Sequence, residues 1–340
     1  MQLCHREGSE SDLHTVRVLP LSLRSACLTE YPQTMPEPMT IAHLTDVHLS
    51  PIVGFTPRHW NTKRALGFIN WQRRRQHIHQ RGVVDRLVAD MKAQGPDHIA
   101  ITGDLINIGL PAEYDAAHAW LATVGAPSDV SLVPGNHDIY TKVRGHSGHA
   151  RWGAYMQSDA WGVARGAVAS AGFPYVRRIG SIAIIGLCSA VPTAPGIASG
   201  RIGPVQMAAT RRLLAKLGQE RMFRLVMIHH PPLPGQAHKH HELTDADGLA
   251  QVLADSGAEL VLHGHNHRPM AARVPWAGGH AHVIGAASVS AATANGSEPM
   301  ARYNLIRISG AHGKWHIDVR QRGLQAGHSE IIEIERSTLI

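Results

Sequence analysis

Cysteine is scarce in this chain of 340 residues. There are three cysteines, Cys4, Cys27 and Cys188, and their spacing fits neither a thiolate zinc site nor a disulfide framework. Cys188 ends an apolar run that begins at Ser181, which predicts a buried and unreactive thiol. The cysteine count is compatible with a reducing cytoplasm.

Long hydrophobic runs are also missing. No apolar stretch approaches the roughly 18 residues that a membrane span needs. The composition is 44% hydrophobic with 33 Gly and 20 Pro, which is typical of a globular protein with many loops. Residues 1–38 show no clear periodicity. We expect them to be either a disordered leader or an extension upstream of a true start at Met35 or Met39.

Acidic residues are absent from residues 51–82, here called the basic segment. The chain has a formal net charge of +7. Seven cations lie in this segment: Arg58, Lys63, Arg64, Arg73, Arg74, Arg75 and Arg81. The rest of the chain therefore sums to zero. Such a segment fits an anionic substrate, a nucleic acid or an acidic membrane surface.

The remaining sequence alternates short apolar runs with helix-like stretches, the pattern of an α/β fold. The predicted strands are 40–45, 98–102, 130–133, 181–187, 224–228, 259–262, 282–284, 303–308 and 315–319. The predicted helices are 83–94, 112–123, 204–217 and 245–255. The last three strands follow one another without a helix, which suggests an antiparallel portion. We expect one domain over 39–322 and leave the tail, 323–340, unassigned.

Five predicted strands end at side chains that can bind a metal ion. They are Asp46 and His48, Asp104, Asn136, His229, and His265 with His267. In open α/β sheets, ligands bind outside the carboxyl ends of the strands, so these side chains are expected to converge on one crevice. In extended backbone, residues two apart point to one face, which lets both members of Asp46-x-His48 and His265-x-His267 reach one site.

The donor types predict the class of metal. Oxygen and imidazole donors without thiolate fit Mn, Fe or Zn, with Mg and Co as further candidates. Seven donors are too many for one tetrahedral zinc. They fit two divalent ions that share a carboxylate. Two ions about 3.5–4 Å apart activate a water and clamp the attacking and leaving oxygens of a displacement.

These motifs resemble a known family. Asp46-x-His48, Gly103-Asp104, Gly135-Asn-His-Asp138, His229 and Gly264-His-x-His267 are similar, in this order, to the five motifs of the calcineurin-like metallophosphoesterases. The resemblance spans residues 46–267. It implies a four-layer α/β/β/α sandwich of mixed sheets with a di-metal site at the C-terminal ends of the strands. It also implies hydrolysis of a phosphoric ester by a metal-bridging hydroxide.

The same resemblance implies roles for single residues. One metal would be held by Asp46, His48 and His267, the other by Asn136, His229 and His265, with Asp104 bridging. The catalytic residues would be His137, which faces the phosphate and assists the leaving group, and Asp138, which orients His137. Substrate contacts are expected from His230, Asn107 and Arg64, although turn chemistry explains Asn107 equally well.

The second motif departs from one branch of the family. Protein phosphatases carry Gly-Asp-x-x-Asp-Arg-Gly, whereas this chain reads Gly-Asp-Leu-Ile-Asn-Ile-Gly over 103–109. This argues against a phosphoprotein phosphatase. It favours the bacterial phosphodiesterase-like branch, which includes class III cyclic-nucleotide phosphodiesterases and glycerophosphodiesterases. The expected substrate is a small anionic monoester or diester, such as a nucleotide or a phospholipid head group.

Two alternative functions accompany this interpretation, and the role of the basic segment is also open. A nuclease would use the basic segment to grip nucleic acid, but no dedicated nucleic-acid module is present, so this partner is not expected. A non-catalytic scaffold should have lost ligands, and this chain keeps them. The basic segment, with Trp60, Phe68 and Trp71, is either a lid, a peripheral membrane contact, or a helical insertion whose aromatic residues pack on the core. No feature indicates an oligomeric state.

Overall fold

Strands that are apolar on both faces build the centre of the protein, as burial on both sides demands. The computed structural model describes residues 37–143, 147–168 and 172–339. The predicted leader lies outside these residues apart from Glu37 and Pro38. Within the described part of the chain, no helix combines the length and the hydropathy that crossing a bilayer requires.

The first sheet has six strands in the order β12-β11-β10-β1-β2-β3. Their bounds are β1 Met39–Leu44, β2 His98–Ile101, β3 Val130–Leu132, β10 Arg302–Ala311, β11 Lys314–Gly323 and β12 Ile332–Leu339. The central strands β1, β2 and β3 are parallel to one another, while β10, β11 and β12 form an antiparallel half. The carboxyl ends of β1, β2 and β3 therefore open on the same edge.

The second sheet has the order β4-β5-β6-β7-β9-β8. Its strands are β4 Tyr175–Ile179, β5 Ile182–Gly186, β6 Phe223–Met227, β7 Leu260–His263, β8 Met270–Trp276 and β9 Gly279–Gly285. Strands β5, β6, β7 and β9 run parallel, and β4 and β8 pair antiparallel at the two edges. Edge position explains why β8 tolerates Pro275, which has no amide proton to donate.

Within the described residues, seven α-helices connect and cover the sheets. They are α1 Thr62–Asn70, α2 Gln76–Ile78, α3 Arg81–Ala93, α4 Pro111–Val124, α5 Ala160–Val163, α6 Pro204–Gln219 and α7 Ala246–Ser256. Alternate residues of the second sheet face opposite ways, since side chains alternate along a strand. Ile184 and Leu225 pack toward the first sheet, while Ile185 and Val226 pack under α6 and α7. The predicted four-layer α/β/β/α sandwich is confirmed.

All nine predicted strands and four predicted helices occur, with ends that differ by a few residues. Strands β4, β8 and β12 were not predicted, and β12 lies in the segment left unassigned as a tail. The antiparallel expectation holds for β10 and β11. β9 does not join them, because the chain between β9 and β10 crosses from one sheet to the other. In the second sheet β9 pairs parallel with β7 and antiparallel with β8.

The basic segment folds as a helical excursion beside the sheet edge. A 3-10 turn, Pro57–His59, precedes α1, and a π-helical turn, Trp71–Arg75, joins α1 to α2. Phe68 lies between Phe55 and Trp71, with ring centroids 4.5 and 5.9 Å away. This ladder packs on a cluster of Ile108, Leu110 and Tyr140. Trp60 continues the ladder outward and stays 63% exposed.

Candidate metal centre

The seven predicted ligands come together where the carboxyl ends of both sheets meet. In one group, Nε2 of His267 lies 3.2 Å from Oδ1 of Asp46 and 3.2 Å from Nε2 of His48. In the other, Oδ1 of Asn136 lies 3.1 Å from Nε2 of His229 and 2.9 Å from Nδ1 of His265. Five strand ends thus supply two compact clusters of donors.

Asp104 lies between the two clusters. Its Oδ2 is 3.4 Å from Nε2 of His229 and 3.8 Å from Nε2 of His48. Metal–ligand bonds of about 2.0–2.1 Å place neighbouring ligand atoms roughly 2.9–3.4 Å apart. The donor pairs within the two clusters lie in this range, except Oδ1 of Asp46 and Nε2 of His48, which are 3.9 Å apart. Oδ1 of Asp46 is shielded from solvent and has no hydrogen-bond donor among the described residues. The donor set therefore fits two metal ions with a carboxylate between them.

Backbone strain is concentrated at these ligands. Left-handed φ angles occur at five of them: Asp46 at 53°, His48 at 42°, Asp104 at 56°, His265 at 71° and His267 at 52°. This conformation is uncommon for residues other than glycine, and it persists where the surrounding structure enforces it, often at functional sites. The expectation that extended backbone aligns each ligand pair is wrong. The pairs lie beyond the strand ends, and the left-handed turns aim their side chains inward.

Backbone carbonyls orient two of the histidines. Nδ1 of His229 donates to the carbonyl of Thr102 at 2.7 Å, and Nδ1 of His48 donates to that of Ile106 at 3.2 Å. Each bond leaves the Nε2 lone pair free for a metal, as outer partners of metal-binding histidines commonly do. Nδ1 of His267 lies 3.3 Å from Oε2 of Glu298. Glu298 was not predicted, because it lies outside every motif.

Electrostatics at the centre favour positive charge. Burial alone would lower the pKa of His229, but Asp104 raises it to about 9. Burial acts in the same way on His267, and there Asp46 raises the pKa to about 9. Burial would raise the pKa of Asp104, yet His229 and His137 hold it well below its usual value. These buried carboxylates are thus kept ionised, the state that binds a cation.

Asp138 fixes two of the loops that carry candidate metal ligands. Its carboxylate accepts four backbone N–H groups: those of Asp104 at 2.8 Å, Leu105 at 2.9 Å, Ile106 at 3.3 Å and Gly135 at 2.8 Å. Nδ1 of His137 instead donates to the carbonyl of Asn107. Asp138 therefore acts on the loops that carry Asp104 and Asn136, while the orientation of His137 comes from Asn107.

His137 lies at the rim of the centre. Its ring centroid is 4.9 Å from that of His48 and 5.4 Å from that of Tyr140. Because Nδ1 donates to the Asn107 carbonyl, Nε2 carries the lone pair, which lies 3.3 Å from Nη1 of Arg75. Burial lowers the pKa of His137 to about 4, although Asp104 opposes the shift. The resting ring is neutral at pH 7.

Contacts within the protein already engage the three residues predicted to bind substrate. Both ring nitrogens of the fully buried His230 have partners, Ser189 Oγ at 2.8 Å and the Ala198 carbonyl at 3.0 Å. Nδ2 of Asn107 donates to the carbonyl of Leu49. The Arg64 guanidinium donates to the backbone carbonyls of Ile108, His59 and Gly109. Their substrate role stays a prediction, and these contacts favour support of the surrounding loops.

Two further residues, His79 and Arg75, reach the centre although they lie outside the five motifs. The His79 ring is buried, 4.8 Å from the His48 ring and 5.3 Å from the His267 ring, and its Nδ1 is 2.8 Å from Ser290 Oγ. Arg75, from the basic segment, reaches His137. Seven cations without an acid in 51–82 were the signal for Arg75, whereas nothing in the sequence singled out His79.

Comparison with known proteins decides the family. The model of a family described as calcineurin-like phosphoesterase matches residues 39–269. The chain belongs to this family. The resemblance inferred from the five motifs is therefore confirmed.

Individual relatives agree with the family assignment. A probable cyclic nucleotide phosphodiesterase from Synechococcus sp. is 27% identical over 182 residues, which is 53% of this chain and 61% of that protein. A dimetal phosphatase from Danio rerio matches with a TM-score of 0.58 at 16% identity, over 88% of this chain and 98% of that one. A purple acid phosphatase from yellow lupin gives 0.51 at 11% identity, over 89% and 54%. These two structures share the calcineurin-like phosphoesterase fold.

Proposed function

We propose that this chain is a metal-dependent phosphoric ester hydrolase with phosphodiesterase activity on a small anionic substrate. The observation that carries the proposal is the position of Asp104 between two clusters of three donors, with Oδ2 3.4 Å from His229 and 3.8 Å from His48. The Synechococcus relative, a probable cyclic nucleotide phosphodiesterase, supports a diester over a monoester.

The position of each residue indicates whether it would bind a metal ion or face the substrate. Asp46, His48 and His267 would hold one ion, and Asn136, His229 and His265 the other, with Asp104 shared. Bound divalent ions supply Lewis acidity and an activated water near neutral pH, and Mn is our first candidate. Nε2 of His137 faces the rim of the centre, where a phosphate would project. The Nε2 lone pair of His137 would first take up a proton from water, and the protonated ring would then donate this proton to the leaving oxygen.

A cationic pocket beside the centre supports an anionic substrate. It encloses about 810 Å³ and is lined by Arg58, Lys63 and Lys142, with Trp60 at its wall and no acidic side chain. Lys63 Nζ lies 4.5 Å from the centre of the Tyr140 ring, which in turn stacks on His137. The part of the substrate next to the leaving oxygen can therefore extend into a positively charged cavity.

We further propose peripheral contact of the basic segment with an anionic membrane, the partner expected of a lipid-diester substrate. Four of the exposed large apolar side chains lie in this segment: Val53, Trp60, Leu66 and Ile69. They neighbour exposed arginines, and apolar groups among cations suit an acidic lipid surface.

The protein should sediment with phosphatidylglycerol vesicles and not with phosphatidylcholine vesicles. Leu66→Glu should weaken sedimentation, whereas Val205→Glu, at a position 83% exposed elsewhere, should not. Equal binding to both vesicle types contradicts the contact.

The direct test of the activity uses chelated protein resupplied with Mn²⁺. Cleavage of bis-p-nitrophenyl phosphate that Mn²⁺ restores supports the phosphodiesterase. Cleavage of p-nitrophenyl phosphate alone would replace it with a phosphomonoesterase. Cleavage of oligonucleotides, with binding that weakens steeply with salt, would favour a nuclease. Bound metal without hydrolysis of any of these would favour a non-catalytic scaffold.

His137→Ala tests the division of roles. We expect this variant to keep two metal ions per chain and to lose about 10²–10⁴-fold in kcat, the usual contribution of a positioned acid or base. Metal content and kcat are measured on the same sample. Loss of metal together with rate would show that His137 is part of the metal-binding shell.

A further inference from the structure

Arg75 is the third of three consecutive arginines in the basic segment, and it turns inward where the other two face solvent. Arg73 and Arg74 are exposed, whereas the Arg75 side chain reaches the metal centre. Nε and Nη2 of Arg75 are shielded from solvent, and neither has a hydrogen-bond partner among the described residues. A buried guanidinium with unpaired donors carries a desolvation cost. A hydrogen-bond acceptor placed against these two atoms would offset that cost.

The one hydrogen bond that this guanidinium makes to the described residues defines which edge is free. Nη1 donates to the Nε2 lone pair of His137 at 3.3 Å, since Nδ1 of His137 already donates to the Asn107 carbonyl. Nε and Nη2 lie along the other edge of the planar group. Two parallel N–H bonds from such an edge match the oxygens of a phosphate or a carboxylate. Arg75 is thus preset for bidentate binding next to His137.

Anchors on both sides hold Arg75 in this position. Trp71, one turn before, is buried, and its Nε1 donates to Ser50 Oγ at 3.4 Å. His79, one turn after, is hydrogen-bonded to Ser290 and packs on the His48 ring. Between them the chain forms the π-helical turn Trp71–Arg75, a local widening that often occurs at functional sites. The turn directs Arg75 inward while Arg73 and Arg74 stay outside.

We propose that Arg75 binds two non-bridging oxygens of the substrate phosphate through Nε and Nη2, and that it positions this phosphate against His137. The inference rests on the proposed phosphoesterase function and adds a residue to it. The carboxylates of Asp46 and Asp104 make no hydrogen bond to Arg75. They point instead to the histidines with which they would share the metal ions. An oxyanion of the substrate is therefore the acceptor that this edge lacks. Inorganic phosphate, as product, should occupy the same place.

The test compares Arg75→Ala and Arg75→Lys with the matched controls Arg73→Ala and Arg74→Ala, all loaded with Mn²⁺. Calorimetric titration with inorganic phosphate measures binding without turnover. We expect Arg75→Ala to keep the wild-type metal content and unfolding temperature. Its phosphate affinity should fall about 10–100-fold, the usual scale of a bidentate charged contact. Arg75→Lys should recover little, because an ammonium lacks the planar fork.

Distinct outcomes separate the two claims. Wild-type phosphate affinity in Arg75→Ala overturns the inference about Arg75, whether or not the enzyme turns over. Loss of metal in Arg75→Ala overturns it as well, since Arg75 would then serve the integrity of the centre. In kinetics on bis-p-nitrophenyl phosphate, we expect kcat/KM to fall in Arg75→Ala and to stay unchanged in the two controls. Absence of hydrolysis in the wild type defeats the phosphoesterase proposal and leaves the phosphate titration as the test of Arg75.

Discussion

Several single residues at the candidate metal centre have strained backbone angles that orient their side chains toward it. Left-handed φ angles at Asp46, His48 and Asp104 are held by the hydrogen bonds around them, such as the amide of Asp46 to the Gly103 carbonyl at 3.0 Å. Strain of this kind costs on the order of 1–3 kcal/mol per residue. The network of neighbouring polar groups that enforces it is therefore as important as the ligands.

Asp138→Ala tests that network. Four buried backbone amides lose their acceptor, and each unsatisfied group costs about 1 kcal/mol or more. We expect the free energy of unfolding to fall by about 3 kcal/mol and metal affinity to weaken with it, measured by urea unfolding and metal titration. Asp85→Ala is the control, since its ion pair with Arg81 is exposed and contributes about 0–1 kcal/mol. A variant with unchanged stability and a purely kinetic defect would assign Asp138 to catalysis.

Glu298→Ala tests the orientation of His267. The Glu298 carboxylate is 3.3 Å from Nδ1 of His267, and loss of such an outer partner typically weakens metal affinity about 10–100-fold. We expect this weakening for only one of the two ions. A competitive chelator titration should then resolve two different metal affinities. An unchanged titration would mean that His267 holds its ring by packing alone.

At this scale the motifs predicted all seven clustered donors, because each follows a strand end. They missed Glu298, Arg75 and His79. These three come from loops and from the basic segment, where no local periodicity relates them to the centre, and tertiary folding alone brings them there. The interpretation of Asp138 also needed the structure, since its partners are backbone amides that no sequence pattern displays.

Elements of the first sheet are tied to a covering helix by one ionic contact. Asp90 of α3 accepts two hydrogen bonds from Arg322 of β11, at 2.7 and 2.8 Å, and one from Tyr303 of β10. Burial would raise the pKa of Asp90, but these donors hold it below its usual value. Helix α3 begins at Arg81, within the end of the basic segment, so this contact also anchors the helix into which that segment leads.

Asp90→Asn tests this tie and its pH dependence. A depressed folded pKa means that the stabilisation is present above the unfolded pKa, about 3.9, and is lost as pH falls through the folded value. We expect the variant to be about 1–2 kcal/mol less stable at pH 7, and the difference to shrink as pH falls below the unfolded pKa of about 3.9. Urea unfolding at several pH values measures it. A difference that persists in acid would point to packing instead of charge.

Strands were predictable where they are buried on both faces, as in β1 and β6. The missed strands lie at or near sheet edges. β12 has exposed charges at Glu333, Glu335 and Arg336, and β4 includes the exposed Arg178. Edge strands owe their form to pairing with a neighbour, so their own sequences carry a weak signal. The parallel pairing of β9 with β7 was likewise not predictable, because it depends on how the chain passes between the sheets.

For the whole molecule, the metal centre joins the two sheets. Asp46, His48, Asp104 and Asn136 follow strands of the first sheet, whereas His229, His265 and His267 follow strands of the second. Each proposed ion would therefore have ligands from both sheets. Metal bound to the folded state alone stabilises it by about 2.7 kcal/mol at a free concentration of 100 times Kd.

Chelation should accordingly lower the unfolding temperature, and Mn²⁺ should restore it. The measurement is calorimetric unfolding of chelated and Mn²⁺-loaded protein at fixed protein concentration. Asp104→Ala should show little of the difference, because it removes the shared carboxylate. Equal unfolding temperatures with and without metal in the wild type would show that the sheets hold together without help from the centre.

The most direct test of the central claim is the number of metal ions per chain. Elemental analysis of chelated protein, resupplied with Mn²⁺ and freed of excess, should find two ions in the wild type. Asp104→Ala should lose bound metal together with hydrolysis of bis-p-nitrophenyl phosphate. Two ions and full diester hydrolysis in Asp104→Ala, or no bound metal in the wild type, would contradict a two-metal phosphoesterase built around Asp104.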